Sequence, residues 1–308
     1  MTPETEVALE VFLRWLRQAT DRQFLADERG DISTVSDTEN TIATSVRTLV
    51  PVDDVTWANR VRAMEEAIAE DLPARIALWV PAGADLPDEE PTRSEFLSHV
   101  REAAVKLGPT ERRHVPLPST LLLRKNADEG GVVSCAGGLN PHWAKFTGRV
   151  QGQYDLDSNQ VHRLPESDEF LEKLIDQIVE ETKGMEPRQV KEITTVDAWT
   201  VQRLPGKTGV TIVGVPPAET KDIGLAVRRN FRRALVEAVP PLRAADATLR
   251  ALLVLGYYPR VEMEGATTAI RGYDPALYSG IDYVCLVTDG IVKPIIQPPA
   301  ALLPWAKS

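Results

Sequence analysis

Arg75-Ile76-Ala77-Leu78-Trp79-Val80 is a near-continuous apolar run. A strand lying on solvent alternates in polarity, so this run reads as a strand covered on both faces. Just before it, residues 55–70 put Val55, Ala58, Val61, Met64 and Ile68 on one helical face. Earlier still, segments 23–28, 32–36 and 41–50 are short strands rich in β-branched residues. Gly30-Asp31 and Asp37-Thr38-Glu39-Asn40 separate them as turns. A first amphipathic helix over residues 5–19 carries Val7, Val11, Phe12, Trp15 and Leu16, with Thr5 as its expected cap. Following the run, Thr92 with Glu95 three residues on predicts a capping box and a helix over 92–107. The order is helix, three strands, helix, strand, helix.

Residues 108–165 break this pattern. Pro109, Pro116, Pro118, Gly130-Gly131, Gly137-Gly138, Pro141, Gly148 and Gly152 predict an irregular insertion with at most a hairpin or two. An acidic amphipathic helix follows over 167–183, then a linker at 185–188. After residue 195 the chain is expected to return to sheet. Strands 199–204 and 210–215 are read as flanking a hairpin turn at Pro205-Gly206-Lys207-Thr208-Gly209. A helix over 225–239, a buried strand over 249–257 and a closing hairpin through Asp289-Gly290 complete the chain. The expected class is α/β, a mixed sheet flanked by helices. The expected divisions are 1–107, an insertion plus acidic helix over 108–188, and a C-terminal α/β portion over 189–308.

Composition narrows the function classes. Lysine and arginine number 35 against 45 acidic residues, a net charge of -10, which excludes a generally basic coat but not a local basic face. Two cysteines, Cys135 and Cys285, exclude a disulfide framework or a cysteine zinc site. An acidic amino terminus and strand-length apolar runs predict a cytoplasmic protein with no membrane segment.

The element order over residues 5–80 resembles the common core of the PD-(D/E)xK, or restriction-endonuclease-like, family. That resemblance implies a carboxylate-held Mg²⁺, with an acid near the second strand, Glu/Asp-x-Lys on the third, and often an acid on the first helix. Asp31 stands at the first position, and Glu6 or Glu10 would be the helix acid. The third strand, Thr41-Ile42-Ala43-Thr44-Ser45-Val46-Arg47, has Ser45 for the second acid and Arg47 for the lysine. A hydroxyl offers no charge to a dehydrated Mg²⁺, and arginine stays protonated. Either the acid has migrated to Asp37 or Glu39, or the site is degenerate. Mg²⁺ is therefore expected only if the nuclease is active, and otherwise no cofactor.

The strongest local footprint for phosphate is Arg228, Arg229, Arg232 and Arg233, which share one broad helical face. The alternative for these residues is a solvated face paired with carboxylates such as Asp222 and Glu237. A smaller basic group lies at Arg112-Arg113-His114. Gly206-Lys207-Thr208 lacks the first P-loop glycine, since Val201 stands there. His99, His114, His142 and His162 have no zinc spacing, and Ser134 lacks the serine-hydrolase elbow. Tyr257, Tyr258, Tyr273, Tyr278 and Tyr283 would stack on bases, anchor a partner, or cap the core. The apolar tail Pro298-Pro299-Ala300-Ala301-Leu302-Leu303-Pro304-Trp305 would lie in a groove of its own fold or dock on another subunit. The leading expectation is a degenerate nuclease-like protein that binds nucleic acid or a partner, as an accessory subunit of prokaryotic antiviral defence or nucleic-acid processing. An active Mg²⁺ nuclease and a purely structural or homo-oligomeric subunit are the alternatives.

Overall fold

The computed structural model describes residues 2–29, 31–50, 54–70, 72–217, 224–258, 270 and 272–305, without the side chains of 28, 29, 224 and 225. The protein is α/β, with two mixed sheets flanked by helices. Its residues fall into two compact units. One comprises 1–88, 104–113 and 200–308, and the other 89–103 and 114–199.

Helix α1, Pro3–Thr20, opens the first unit. Its cap is Thr2, whose hydroxyl accepts from the Thr5 amide at 3.4 Å, rather than Thr5 itself. Pro3 at the first helical position loses no hydrogen bond, so the helix starts earlier than its apolar stripe. Strands β1 (Leu25–Arg29), β2 (Ile32–Ser36) and β3 (Thr41–Thr48) form an antiparallel meander. Next to β3 lies β10 (Leu249–Leu255), parallel to it, then β11 (Tyr283–Thr288), also parallel, and β12 (Ile291–Ile296), antiparallel. The sheet order is β1-β2-β3-β10-β11-β12. Ala251 through Leu255 are all fully buried, the mark of strands covered on both faces. Helix α1 and helix α5, Gly224–Ala244, both pack on β3 and β10 and supply that cover.

The expected hairpin between β11 and β12 is present. Thr288 pairs with Ile291, and Asp289 and Gly290 both take positive φ, at 51° and 71°. A two-residue loop needs that conformation to match strand twist.

Helix α2, Val55–Ala69, is capped by Asp54, which accepts from the Thr56 and Trp57 amides. Strand β4, Arg75–Trp79, does not join β3. It pairs antiparallel with the end of β8 (Val190–Leu204), from Arg75↔Leu204 to Trp79↔Thr200, and parallel with β9 (Gly209–Val213). The segment 205–209 is therefore not a hairpin turn, because β4 stands between the strands it connects. Inserting β4 there gives Ile76, Ala77, Leu78 and Trp79 two strand neighbours and near-complete burial, worth far more than a two-stranded ribbon.

The C-terminal tail lies on its own unit. Leu303 and Trp305 pack against the core, and the Trp305 ring meets Phe24 edge-on at 5.7 Å.

The second unit contains most of helix α3 (Thr92–Lys106) and of strand β5 (Arg112–Ala127), strands β6 (Gly131–Gly137) and β7 (Gly152–Ser158), helix α4 (Asp168–Thr182), and β8 as far as Trp199. Thr92 does not cap α3. The Glu95 amide reaches Pro91 O, and Glu90 Oε2 accepts from Ser94 N. The expected irregular insertion is mostly strand. Val115, Leu117, Leu121 and Leu123 of β5 alternate inward while Pro116 and Pro118 point out. Both prolines precede the stretch that pairs with β7, Leu122–Ala127, so neither removes a hydrogen bond from that ladder. Leu121, Leu123, Phe146, Tyr154, Leu156, Leu174, Ile175 and Ile178 form this unit's own core.

Candidate nucleic-acid interface

Along α5, Val227, Asn230, Phe231, Ala234, Leu235, Ala238, Val239 and Leu242 are buried, while Arg228, Arg229, Arg232 and Arg233 are exposed. The helix thus turns its apolar side to the sheet and its arginines to solvent. Arg233 lies 3.9 Å from Glu237, and both side chains are about half exposed. Asp222, the other expected carboxylate partner, is outside the described residues.

The amino-terminal half of α5 stands at the carboxyl end of β10. Asn230 Nδ2 donates to the Tyr258 hydroxyl at 2.8 Å, just beyond that strand. The Tyr273 hydroxyl donates to Arg228 O, and the Arg228 guanidinium sits 5.5 Å from the Tyr273 ring centroid. Burial raises the Tyr273 pKa, against the lowering pull of Arg228 and Arg232, so the phenol stays neutral and donating. Tyr257, Tyr258 and Tyr283 are 2–4% exposed and belong to the core, with no face left for stacking. Pro259 and Arg260 are outside the described residues. In open α/β sheets, ligands bind outside the carboxyl ends of parallel strands. The arginine face rises from that edge.

The acidic candidates are scattered. Asp31 is exposed in the turn between β1 and β2; Gly30 before it is outside the described residues. Asp37 and Glu39 occupy the turn at the other end of β2, about 20 Å away at ~3.3 Å per residue. One ion held at ~2 Å by each ligand cannot span that gap. Asp37 Oδ1 accepts from the Glu39 amide at 2.8 Å and the Asn40 amide at 2.6 Å, and Arg22 bridges Asp37 and Glu39 at 2.9 and 3.0 Å. Burial alone would raise the Asp37 pKa; those hydrogen bonds outweigh it and hold the carboxyl at about 2. Glu6 pairs with Arg75 at 2.7 Å, and Glu10 is half-buried on α1 with its own partner. Ser45 is fully buried, and its hydroxyl finds no hydrogen-bond partner among the described residues. Arg47 is half-buried and donates to Val46 O. With Ser33 opposite Thr44, the antiparallel register carries Asp31 and Arg47 to the same sheet edge as the start of α5.

The second unit holds two polar constellations. His162 Nδ1 meets Asp197 Oδ2 at 3.0 Å, while Asp197 Oδ1 accepts from the His162 and Arg163 amides and Trp199 Nε1 donates to Oδ2. A carboxylate oxygen at this distance suits the tautomer that carries its proton on Nδ1. Sequence spacing gave no signal for this pair, because 35 residues separate its members. A cleft of about 530 Å³ is lined by Lys125, Arg149, Lys183 and Tyr154. Its cations are already held: Lys125 by Met185 O and Asp128, Arg149 by Asp176, Lys183 by Glu180. Ser134 is exposed on β6 with no hydrogen bond to His142.

Compared with known proteins, the chain matches no family model, no curated protein and no solved structure.

Proposed function

We propose that this chain is a nucleic-acid-binding module, nuclease-like in the order of its first elements but not a Mg²⁺-dependent nuclease, that grips phosphate through the arginine face of α5. The observation that carries the reading is the exposure of Arg228, Arg229, Arg232 and Arg233 together on one side of a helix whose other side is core. Arginine suits such contacts because its planar fork matches two phosphate oxygens. Arg47, at the same sheet edge, would extend the grip along a strand. Against cleavage stands the separation of Asp31 from Asp37 and Glu39 by the length of β2. Such a module would hold nucleic acid for a processing or defence assembly whose chemistry lies elsewhere.

Incubation with single- and double-stranded DNA and RNA in Mg²⁺ or Mn²⁺ tests the cleavage half. The expected result is no cleavage by the wild type or by Asp31→Asn. Metal-dependent cleavage that vanishes in Asp31→Asn would overturn it.

A further inference from the structure

The cleft of about 530 Å³ is built from residues of the second unit alone. Three cations reach it from separate places: Lys125 on β5, Arg149 in the loop before β7, and Lys183 just past α4. Among the described residues that line it, Asp128 is the one carboxylate. The lining thus has an excess of positive charge in a chain whose net charge is -10. Capping of α4 does not account for it. The last four carbonyls of a helix lack intrahelical partners and attract cations, but here other groups serve them. Val179 O accepts from the Thr182 hydroxyl, Glu180 O from the Lys183 amide, Glu181 O from Lys191 Nζ, and Thr182 O from the Tyr154 hydroxyl.

Ion pairing holds these cations only loosely. Arg149 pairs with Asp176 and Lys183 with Glu180, yet both carboxylates are exposed and neither lines the cleft. Exposed pairs of this kind contribute little and exchange readily for a stronger anion. Lys125 differs, because its side chain is only 10% exposed. A buried ammonium is costly unless its donors are met, and it has three of them. Met185 O takes one at 2.7 Å, and Asp128, itself exposed, takes another at 2.8 Å. The third is left for an occupant of the cleft. The Asp128 hydrogen bond raises the Lys125 pKa against the opposing effect of burial, so the ammonium stays charged.

We propose that this cleft binds the phosphate dianion of a small molecule, free or as a monoester, between Lys125, Arg149 and Lys183. Charge selects that class. Three cations against one carboxylate leave two positive charges, and a phosphate monoester carries about -1.5 to -2 at pH 7. The guanidinium fork and two ammonium groups offer charge-assisted hydrogen bonds to its oxygens. The volume of about 530 Å³ lies within the range of small-molecule sites and leaves room for an organic group beside the phosphate. The site belongs to a different unit from α5, and its reading does not depend on the nucleic-acid reading of that helix.

Isothermal titration calorimetry of the full chain with inorganic phosphate, adenosine 5′-monophosphate and adenosine, each to about 10 mM, tests this. The expected result is millimolar or tighter binding of both phosphate probes and none of adenosine. The tighter of the two phosphate probes tells free phosphate from an ester. Lys125→Met lowers the affinity at least ~10-fold, with circular dichroism unchanged. Should that variant lose its fold, Arg149→Gln with Lys183→Gln, at exposed side chains, gives the same loss. The quadruple alanine variant of Arg228, Arg229, Arg232 and Arg233 binds phosphate like the wild type. No heat from either phosphate probe, or unchanged affinity in folded cleft variants, would overturn the assignment. So would adenosine binding as tightly as its monophosphate, or binding lost in the arginine variant, which would move phosphate to α5.

Discussion

Asp37 shows how one carboxylate organises a turn. It accepts from the Glu39 and Asn40 amides and from Arg22, so the β2–β3 connection is held by a side chain standing in for backbone. Its pKa in the folded protein, about 2, lies below the ordinary value of 3.8. A depressed acid stabilises the fold fully above its unfolded pKa, and that contribution fades as pH falls through the folded one. Asp37→Asn is therefore expected to lower urea stability at pH 7 by about 1–2 kcal/mol, with the gap to wild type closing between pH 4 and pH 2. A gap that stays constant with pH would mean that charge is not what Asp37 supplies. Ser45 makes the complementary point. Sequence logic placed it where a nuclease holds its second acid, and a neutral hydroxyl there, buried and without a hydrogen-bond partner among the described residues, brings no charge to hold a dehydrated Mg²⁺.

At the scale of elements, legibility follows locality. The β11–β12 hairpin was readable because Asp289-Gly290 encodes its own geometry, and α5 because its apolar period is complete within one helix. Gly290 has φ 71°, and an added Cβ would lie 2.8 Å from Gln202 Oε1. Gly290→Ala should accordingly cost about 1–3 kcal/mol in chemical denaturation, whereas Gly148→Ala, at φ 74° with open space around it, should cost less. Equal losses would show that backbone strain alone sets the penalty. Partner choice was not readable in the same way. The turn at 205–209 looks like a hairpin locally, and only the distant β4, with an apolar run to bury on both sides, decides otherwise. Prolines at 116 and 118 disguised β5, since a single sequence does not say that the ladder with β7 begins only at Leu122. The arginine face was visible in the chain; the His162–Asp197 pair was not, because topology alone brings it together.

Over the whole molecule, no helix among the described residues is long and apolar enough to cross a membrane. The arginine face of α5 sits in a chain that is acidic overall, with a net charge of -10. An acidic chain repels polyanions over much of its surface, so phosphate binding at that face would be local and strongly dependent on salt. The most direct test is fluorescence anisotropy of labelled single- and double-stranded nucleic acid titrated with protein at several salt concentrations, beside the quadruple alanine variant of Arg228, Arg229, Arg232 and Arg233. With up to four phosphates engaged, the plot of log affinity against log salt should fall with a slope of about -3 to -4. The variant should bind at least ~10-fold more weakly, about 1.4 kcal/mol, with most of that slope gone. Equal affinity and slope in wild type and variant would contradict the central claim, because phosphate would then not be held by α5.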